Sequence, residues 1–207
     1  MHEENETARI EAFSDGVFAI AITLLVLEIR VPTHEAVAVS GLARSLAALW
    51  PSYLAFFTSF VMVLVVWVQH HWIFTQVRKA DHLVLYWNGL LLFVVTFIPF
   101  PTGLLAEYLL HPDARVAASL YTGNFLAVTL VFHGLWRHVS KGGRLLATNA
   151  ISSNRDEAVR ITKHYQLAPL LYLAVFALSF ISEIAGIASC LLLAFYFALR
   201  GWPTSVR

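Results

Sequence analysis

Polar and ionisable side chains interrupt several long apolar stretches of this 207-residue chain. Ser14 and Asp15 open the first stretch, His70 and His71 stand near the end of the second, and Asn88 lies early in the third. An ionisable group inside an apolar helix costs about 3 kcal/mol on insertion scales and usually marks a functional site or a buried network. These residue types would either ligate a metal ion or hydrogen-bond to one another.

A metal centre would draw on His70, His71, Asp81 and His82. Adjacent residues on a helix diverge by about 100°, so His70 and His71 cannot easily share one ion. Zinc proteases instead place two histidines at positions i and i+4. The sequence also lacks a Gly-x-Ser-x-Gly motif and a Walker loop, and its lone Cys190 excludes an internal disulfide. We therefore expect no enzyme activity, no metal site and no cofactor.

The composition places the chain in a membrane. Hydrophobic residues make up 58% of it and charged residues 13%, whereas soluble domains carry roughly 25% charged residues. The net charge of +1 gives no reason to expect nucleic acid as a partner. The lipid bilayer is the expected environment.

Long stretches without charged residues predict six transmembrane helices in one all-α domain spanning residues 1–207. The predicted helices cover approximately residues 8–30, 45–77, 82–108, 114–138, 160–182 and 184–200. A β-barrel is excluded because its strands alternate in units of about ten residues, while these stretches are apolar on every side. The residues before the first stretch are acidic rather than basic, so we expect that helix to be retained and not cleaved as a signal peptide.

The basic residues predict the orientation of these helices. Six helices place both termini on one side, together with the second-to-third and fourth-to-fifth connections. The opposite side receives only Arg30, Arg44 and Arg115 of the 14 Lys and Arg residues. Because cytoplasmic loops carry the excess of basic residues, both termini are expected in the cytoplasm.

This topology brings the polar residues to one membrane face. Asp15, His70, His71 and Asn88 would meet there as a buried hydrogen-bonded cluster that locks the first helix against the second and third. Alternatively, each histidine is simply an interfacial residue at a helix end. For Asp15 the simpler reading is a carboxylate that the helix dipole favours.

The first helix also carries an apolar stripe. At about 100° per residue, Ile20, Thr23, Leu24 and Leu27 fall on one line, while Ser14 and Asp15 point roughly to the opposite side. One face of this helix is thus free to meet something other than the interior of its own subunit.

The pattern Arg-x-x-x-Phe-Ser-Asp at Arg9, Phe13, Ser14 and Asp15 resembles the signature of the transmembrane protein 175 family, the lysosomal potassium channel and its prokaryotic relatives. Further matches follow along the chain: Trp67 with His70 and His71, then Asn88, then the Phe-Ile-Pro-Phe-Pro-Thr run at 97–102. The resemblance covers the six-helix unit essentially end to end. The animal channel carries two such units per chain, and this chain carries one.

The resemblance implies a homotetramer in a prokaryotic cell membrane, with the first helix of each subunit around a central pore that conducts K⁺. It assigns Ile20 to the main hydrophobic constriction, Thr23 to potassium preference, and Leu24 and Leu27 to further layers. It also assigns the positioning of this helix to a structural network, whose members are Arg9, Phe13, Ser14, Asp15, Trp67, His70, His71 and Asn88.

Such a pore would select ions differently from ordinary potassium channels. The sequence contains no Thr-Val-Gly-Tyr-Gly filter, so rings of backbone carbonyls are not the selectivity device. A ring of Ile20 side chains would gate by dewetting, and Thr23 hydroxyls would give a modest preference for K⁺ over Na⁺. Alternatively, the Thr23 hydroxyl bonds back to the Ala19 carbonyl. An ion-coupled secondary transporter is the competing function, although the internal inverted repeats expected of one are not recognisable here.

Overall fold

The structure is a computed structural model that describes residues 2–141, 145–146 and 155–200. Within these ranges the chain is helical, as expected of an all-α membrane protein, with one isolated bridge between Val77 and Leu146. The helices are α1 (His2–Leu24), continued by a 3₁₀ turn (Leu25–Glu28), α2 (His34–Ser40), α3 (Leu42–Ala48), α4 (Trp50–Gln76), α5 (His82–Thr96), α6 (Pro99–Tyr108), α7 (Ala114–Ser140), α8 (Arg155–Ser179) and α9 (Glu183–Arg200).

Four segments of the described chain are helical, long and apolar enough to cross a membrane. They are Thr7–Glu28, Trp50–Gln76, His82–Tyr108 and Ala114–Ser140. Two shorter apolar helices follow, Tyr165–Ser179 and Glu183–Ala198. The structure therefore bears out four of the six predicted transmembrane helices by length, and α8 and α9 lie at the positions predicted for the fifth and sixth.

The predicted second helix begins too early. Residues around Ser45 form the separate helix α3, and α4 starts only at Trp50. Pro51 sits in the first turn of α4, where its missing N–H leaves no helix hydrogen bond unmade. Gly41, with a φ of +80°, makes the sharp turn between α2 and α3, a conformation that a residue with a Cβ atom rarely adopts.

The predicted third helix is two helices, separated at 97–98. Pro99 lacks a backbone N–H and cannot continue the hydrogen-bond ladder of α5. The break is bridged by shorter-range bonds, from the Ile98 N–H to the Val95 carbonyl (3.0 Å) and from the Phe100 N–H to the Phe97 carbonyl (3.2 Å). The proline pair therefore interrupts the helical hydrogen bonding at 97–98, while the backbone of Phe97 and Ile98 keeps right-handed helical φ and ψ angles and residues 82–108 remain one span.

Helix α7 forms the centre of the bundle and packs against α5, α6, α8 and α9. Its buried residues include Tyr121, Phe125 and Trp136, and the Trp87 indole lies where a Cβ atom at position 134 would stand, so Gly134 permits the close approach of α5. Hydroxyl groups join the helices as well, for example Ser59 to Thr102 at 2.7 Å. In lipid, such close packing and interhelical hydrogen bonds hold helices together.

Helix α1 lies at the edge of the bundle. It packs against α4 and α5, and its 3₁₀ turn packs against α4 and α6. This peripheral position leaves one face of α1 uncovered by its own subunit.

Candidate functional site

Helix α1 has one buried face and one exposed face. The buried residues recur at helical spacing: Thr7, Ser14, Phe18, Ala21 and Leu25. On the other side, Phe13, Ile20 and Leu27 are 67%, 59% and 69% exposed. Side chains as apolar as these need an apolar environment. The described part of their own subunit does not provide it.

The exposed face contains the four residues expected to line a pore. Ile20, Thr23, Leu24 and Leu27 are all exposed and follow one another along α1 and its 3₁₀ turn. Thr23 Oγ1 donates to the Ile20 carbonyl at 2.9 Å, so the hydroxyl does bond back to its own helix, as in the alternative given for it, but to Ile20 and not to Ala19. A hydroxyl that donates its proton in this way keeps both lone pairs for a cation or a water molecule.

A buried hydrogen-bonded triad joins α1, α4 and α5. The Asn88 amide donates to Ser14 Oγ at 3.0 Å, and Ser14 Oγ donates to the Ile10 carbonyl at 2.8 Å. His70 Nε2 lies 2.9 Å from Asn88 Oδ1, and since that oxygen only accepts, Nε2 carries the proton. All three side chains of the triad (Ser14, His70, Asn88) are at least 96% buried.

The His70 ring is held by aromatic neighbours as well. The ring centroids of Phe18 and Phe74 lie 5.4 and 4.5 Å from that of His70. His70 Nδ1 is buried and has no hydrogen-bond partner in the part of the chain that the structure describes. These two phenylalanines were not singled out in the sequence, where they read as ordinary core residues.

A second contact joins α1 to α4 on the flank of the triad. Trp67 Nε1 donates to Asp15 Oδ1 at 2.8 Å, and the Trp67 ring stacks on His71 with centroids 6.1 Å apart. His71 Nδ1 in turn lies 3.9 Å from Glu11 Oε2. The prediction that Asp15 joins a cluster with the histidines and Asn88 is therefore wrong in detail: Asp15 binds Trp67, and Ser14 makes the contact with Asn88.

The other two residues of the signature lie outside both contacts. Among the described residues, Arg9 and Phe13 make no hydrogen bond to the triad, and both side chains are exposed. They line a groove of about 730 Å³ between α1 and α5, together with Leu85 and Leu92. The same groove is lined by Asn88 of the triad, and the membership of Arg9 and Phe13 in the structural network stays a prediction.

The residues considered for a metal site are dispersed. No cluster of three or more His, Cys, Asp or Glu side chains suited to a metal occurs within residues 7–141, 145–146 or the described side chains of α8 and α9. Asp81 instead caps α5 by accepting from the Val84 N–H at 2.9 Å, and it pairs with His138 at 2.9 Å. Partial burial acts to raise the pKa of Asp81, but the hydrogen bonds from Val84 and His138 hold it below its ordinary value.

Comparison with known proteins places this geometry in a family. The sequence profile described as endosomal/lysosomal potassium channel TMEM175 matches residues 9–99, which contain the triad and the Asp15–Trp67 contact. A potassium channel of Chamaesiphon minutus is 62% identical over 198 residues, covering 96% of each chain. The chain belongs to the TMEM175 family. The membership inferred from the residues between Arg9 and Asp15 is thereby confirmed.

Other TMEM175 relatives match over the whole unit. A potassium channel of Streptomyces collinus is 41% identical over 204 residues, which cover 98% of this chain and 97% of that protein. The crystal structure of a lysosomal potassium-selective channel TMEM175 homologue from Chamaesiphon minutus superposes with a TM-score of 0.87 at 58% identity, covering 96% of this chain and all of that one. The fold of this chain is therefore the TMEM175 fold.

Proposed function

We propose that this chain forms a potassium-permeable cation channel that conducts passively in a prokaryotic cell membrane. The observation that carries the proposal is the exposed stripe of α1, which is apolar except for one hydroxyl at Thr23. The relatives that match over nearly the full length are named potassium channels, which favours K⁺ as the permeant ion and a channel rather than an enzyme.

Four subunits are proposed to surround the pore, with α1 of each at the axis. The buried face of α1 is committed to α4 and α5, so its exposed stripe is the face available to the axis. A ring of Ile20 side chains would exclude water when the pore is narrow, and Leu24 and Leu27 would extend the apolar lining outward. The constriction then acts as a hydrophobic gate.

Thr23 supplies the polar layer of this lining. Its proton is used by the Ile20 carbonyl, so the oxygen lone pairs are what a permeating ion would meet. A single hydroxyl ring replaces only part of a hydration shell, and K⁺ gives up water more readily than Na⁺. Selectivity is expected to be modest, in contrast to filters built from successive carbonyl rings.

The triad and the Asp15–Trp67 contact would fix the rotation of α1. A slip of one residue would turn the stripe by about 100° and remove Ile20 from the axis. Hydrogen bonds from α1 to two different helices oppose such a slip, because both would break together. Their proposed purpose is register, not ion binding.

We further propose that both termini face the cytoplasm. The basic residues support this orientation, because the connections that would face outward contain only Arg30, Arg44 and Arg115. Arg9 lies in the first half of α1, and Arg30 follows the opposite end of the same span. Arg115 lies in the first turn of α7, whereas Arg78 follows the last turn of α4.

An ion-coupled transporter is the second candidate, and the break between α5 and α6 is the observation that favours it. Interrupted helices in transporters expose carbonyl groups to a polar binding site. Here Ile98 is fully buried, the Val95 and Phe97 carbonyls accept the short-range bonds that bridge the break, and the Ile98 carbonyl accepts from Thr102 Oγ1 at 2.8 Å. These three carbonyls already have partners within the subunit and are not presented to a substrate, so the channel remains the better function.

The decisive experiment is K⁺ flux through the full-length protein in liposomes. A K⁺ gradient alone should drive flux, with no proton or sodium gradient and no saturation at high K⁺. Flux that saturates and needs a coupling ion would establish the transporter and overturn the channel.

A further inference from the structure

Phe13 continues the exposed stripe of α1 towards the N-terminus. Phe13, Ile20 and Leu27 follow one another at intervals of seven residues, and their exposed fractions are similar at 67%, 59% and 69%. Seven residues of an α-helix turn through about 700°, which is only about 20° short of two full turns. Phe13 therefore points in nearly the same direction as Ile20, two turns before it on α1.

The two residues after Phe13 hold this direction. Ser14 is hydrogen-bonded to Asn88 of α5, and Asp15 is hydrogen-bonded to Trp67 of α4. Successive side chains on a helix diverge by about 100°, so Phe13, Ser14 and Asp15 point in three different directions. Two of these directions are taken by contacts with the subunit's own helices. Phe13 is left in the third, with its ring exposed.

Gly16 lies between Phe13 and Ile20 on the exposed side of α1. Among the described residues, nothing lies within 4 Å of the place where a Cβ atom on Gly16 would stand. Seven residues rise about 10 Å along an α-helix, so the two large apolar side chains are about 10 Å apart along the helix axis. They would therefore form two separate layers, with no side chain from Gly16 between them.

We propose that Phe13 forms a second apolar constriction of the pore, between the Ile20 ring and the side of the membrane that holds the chain termini. The inference rests on the proposed function, because it needs the exposed stripe of α1 to face a shared axis. A ring of four phenylalanine side chains excludes water from a narrow passage as a ring of isoleucine side chains does. Phe13 also borders the groove between α1 and α5, where its ring has room to change rotamer. Conduction then depends on the width of the pore at two levels.

The test is thiol accessibility in excised membrane patches that contain the full-length protein. The reagent is a methanethiosulfonate that carries a trimethylammonium group, and the unsubstituted protein is the blank because Cys190 is buried. In Phe13→Cys, reagent on the cytoplasmic side should lower the K⁺ current on the order of tenfold, because a fixed cation in the pore repels K⁺. Phe93→Cys is the matched control: Phe93 is 69% exposed but lies on α5, and the current of this variant should not change.

The outcomes separate this inference from the proposed function. An unsubstituted protein that carries no K⁺ current would overturn both. A conducting protein whose Phe13→Cys variant does not respond to the reagent, or responds as Phe93→Cys does, would overturn the second constriction alone. If the cysteine variant does not assemble, Phe13→Leu and Phe13→Trp decide the matter. Conductance should rise with the smaller leucine and fall with the larger tryptophan, and equal conductance in the two variants would contradict a constriction at this level.

Discussion

The indole N–H of Trp67 donates a 2.8 Å hydrogen bond to the Asp15 carboxylate, which joins α4 to the half of α1 that precedes the exposed stripe. The Asp15 carboxylate, at the start of the segment that would line the pore, therefore has a neutral N–H group as its hydrogen-bond partner and not a basic side chain.

Trp67→Phe should destabilise the protein by about 2 kcal/mol, because a hydrogen bond to a charged acceptor is lost while the aromatic ring remains. Thermal unfolding and size-exclusion chromatography in detergent would measure stability and assembly, and we expect less of the proposed tetramer. Trp72→Phe is the matched control, since Trp72 lies on α4 like Trp67 but packs its ring against Trp136 of α7. Equal losses in the two variants would mean that the Asp15 contact contributes nothing specific.

Ile20→Asn should raise single-channel conductance, because an amide hydrates the proposed constriction. The control is Val26→Asn, which introduces the same amide at an exposed position off the stripe. Current recordings in planar bilayers provide the measurement. An unchanged conductance for Ile20→Asn would remove this residue from the narrowest part of the pore.

Thr23→Val should lower the K⁺/Na⁺ permeability ratio, since it replaces the hydroxyl by a methyl group of similar size. Thr23→Ser keeps the hydroxyl and should retain the ratio. Reversal potentials in mixed K⁺ and Na⁺ report it directly. If the valine variant matches the unsubstituted protein, the hydroxyl serves only its bond to the Ile20 carbonyl.

Gly186→Ala should destabilise the protein by about 1–3 kcal/mol, because the new Cβ atom would stand 2.9 Å from the backbone Cα atom of Ser179, which cannot rotate aside as the end of a side chain can. Gly89→Ala is the control in another helix, where nothing lies within 4 Å of the added atom. The measurement is the thermal unfolding midpoint of each variant. A loss for Gly89→Ala as large as that for Gly186→Ala would argue against the Ser179 contact as the cause.

The lowered pKa of Asp81 predicts that the stability of the folded protein depends on pH. Its folded pKa is lowered, so the carboxylate contributes stability above its unfolded pKa of about 3.9, and that contribution disappears as the pH falls through the folded pKa. Asp81→Asn keeps an N-cap for α5 but loses the charge opposite His138. The difference in unfolding midpoint between the two proteins should be present at pH 7 and close towards pH 3; a difference that widens there would contradict the sign.

Periodicity was sufficient to predict the exposed stripe, because the positions from Ile20 to Leu27 depend only on the geometry of a single helix. The partner of Asp15 was not predictable in the same way. Trp67, His70 and His71 occupy neighbouring positions on α4, and which of them faces α1 depends on the rotation of one helix against another. That rotation is set by packing across the whole bundle.

Helix boundaries were also only partly predictable from the sequence. The apolar run beginning at Ser45 gave no sign that α3 is separate from α4, since the break at Leu49 involves no change in hydropathy. The two prolines at 99 and 101 did mark the third span, yet a kink and a break have the same sequence signal. The backbone bonds around Ile98 decide between them.

The 3₁₀ turn from Leu25 to Glu28 affects the shape of the proposed pore. With three residues per turn, side chains three apart eclipse, so Leu27 stands almost directly above Leu24 and is not displaced sideways as it would be on an α-helix. The same four residues also span about 8 Å instead of about 6 Å. In the proposed pore the outer lining would thereby be a straight and slightly lengthened apolar column, and an ion that had passed the Ile20 ring would still have two further leucine layers to cross before it met water.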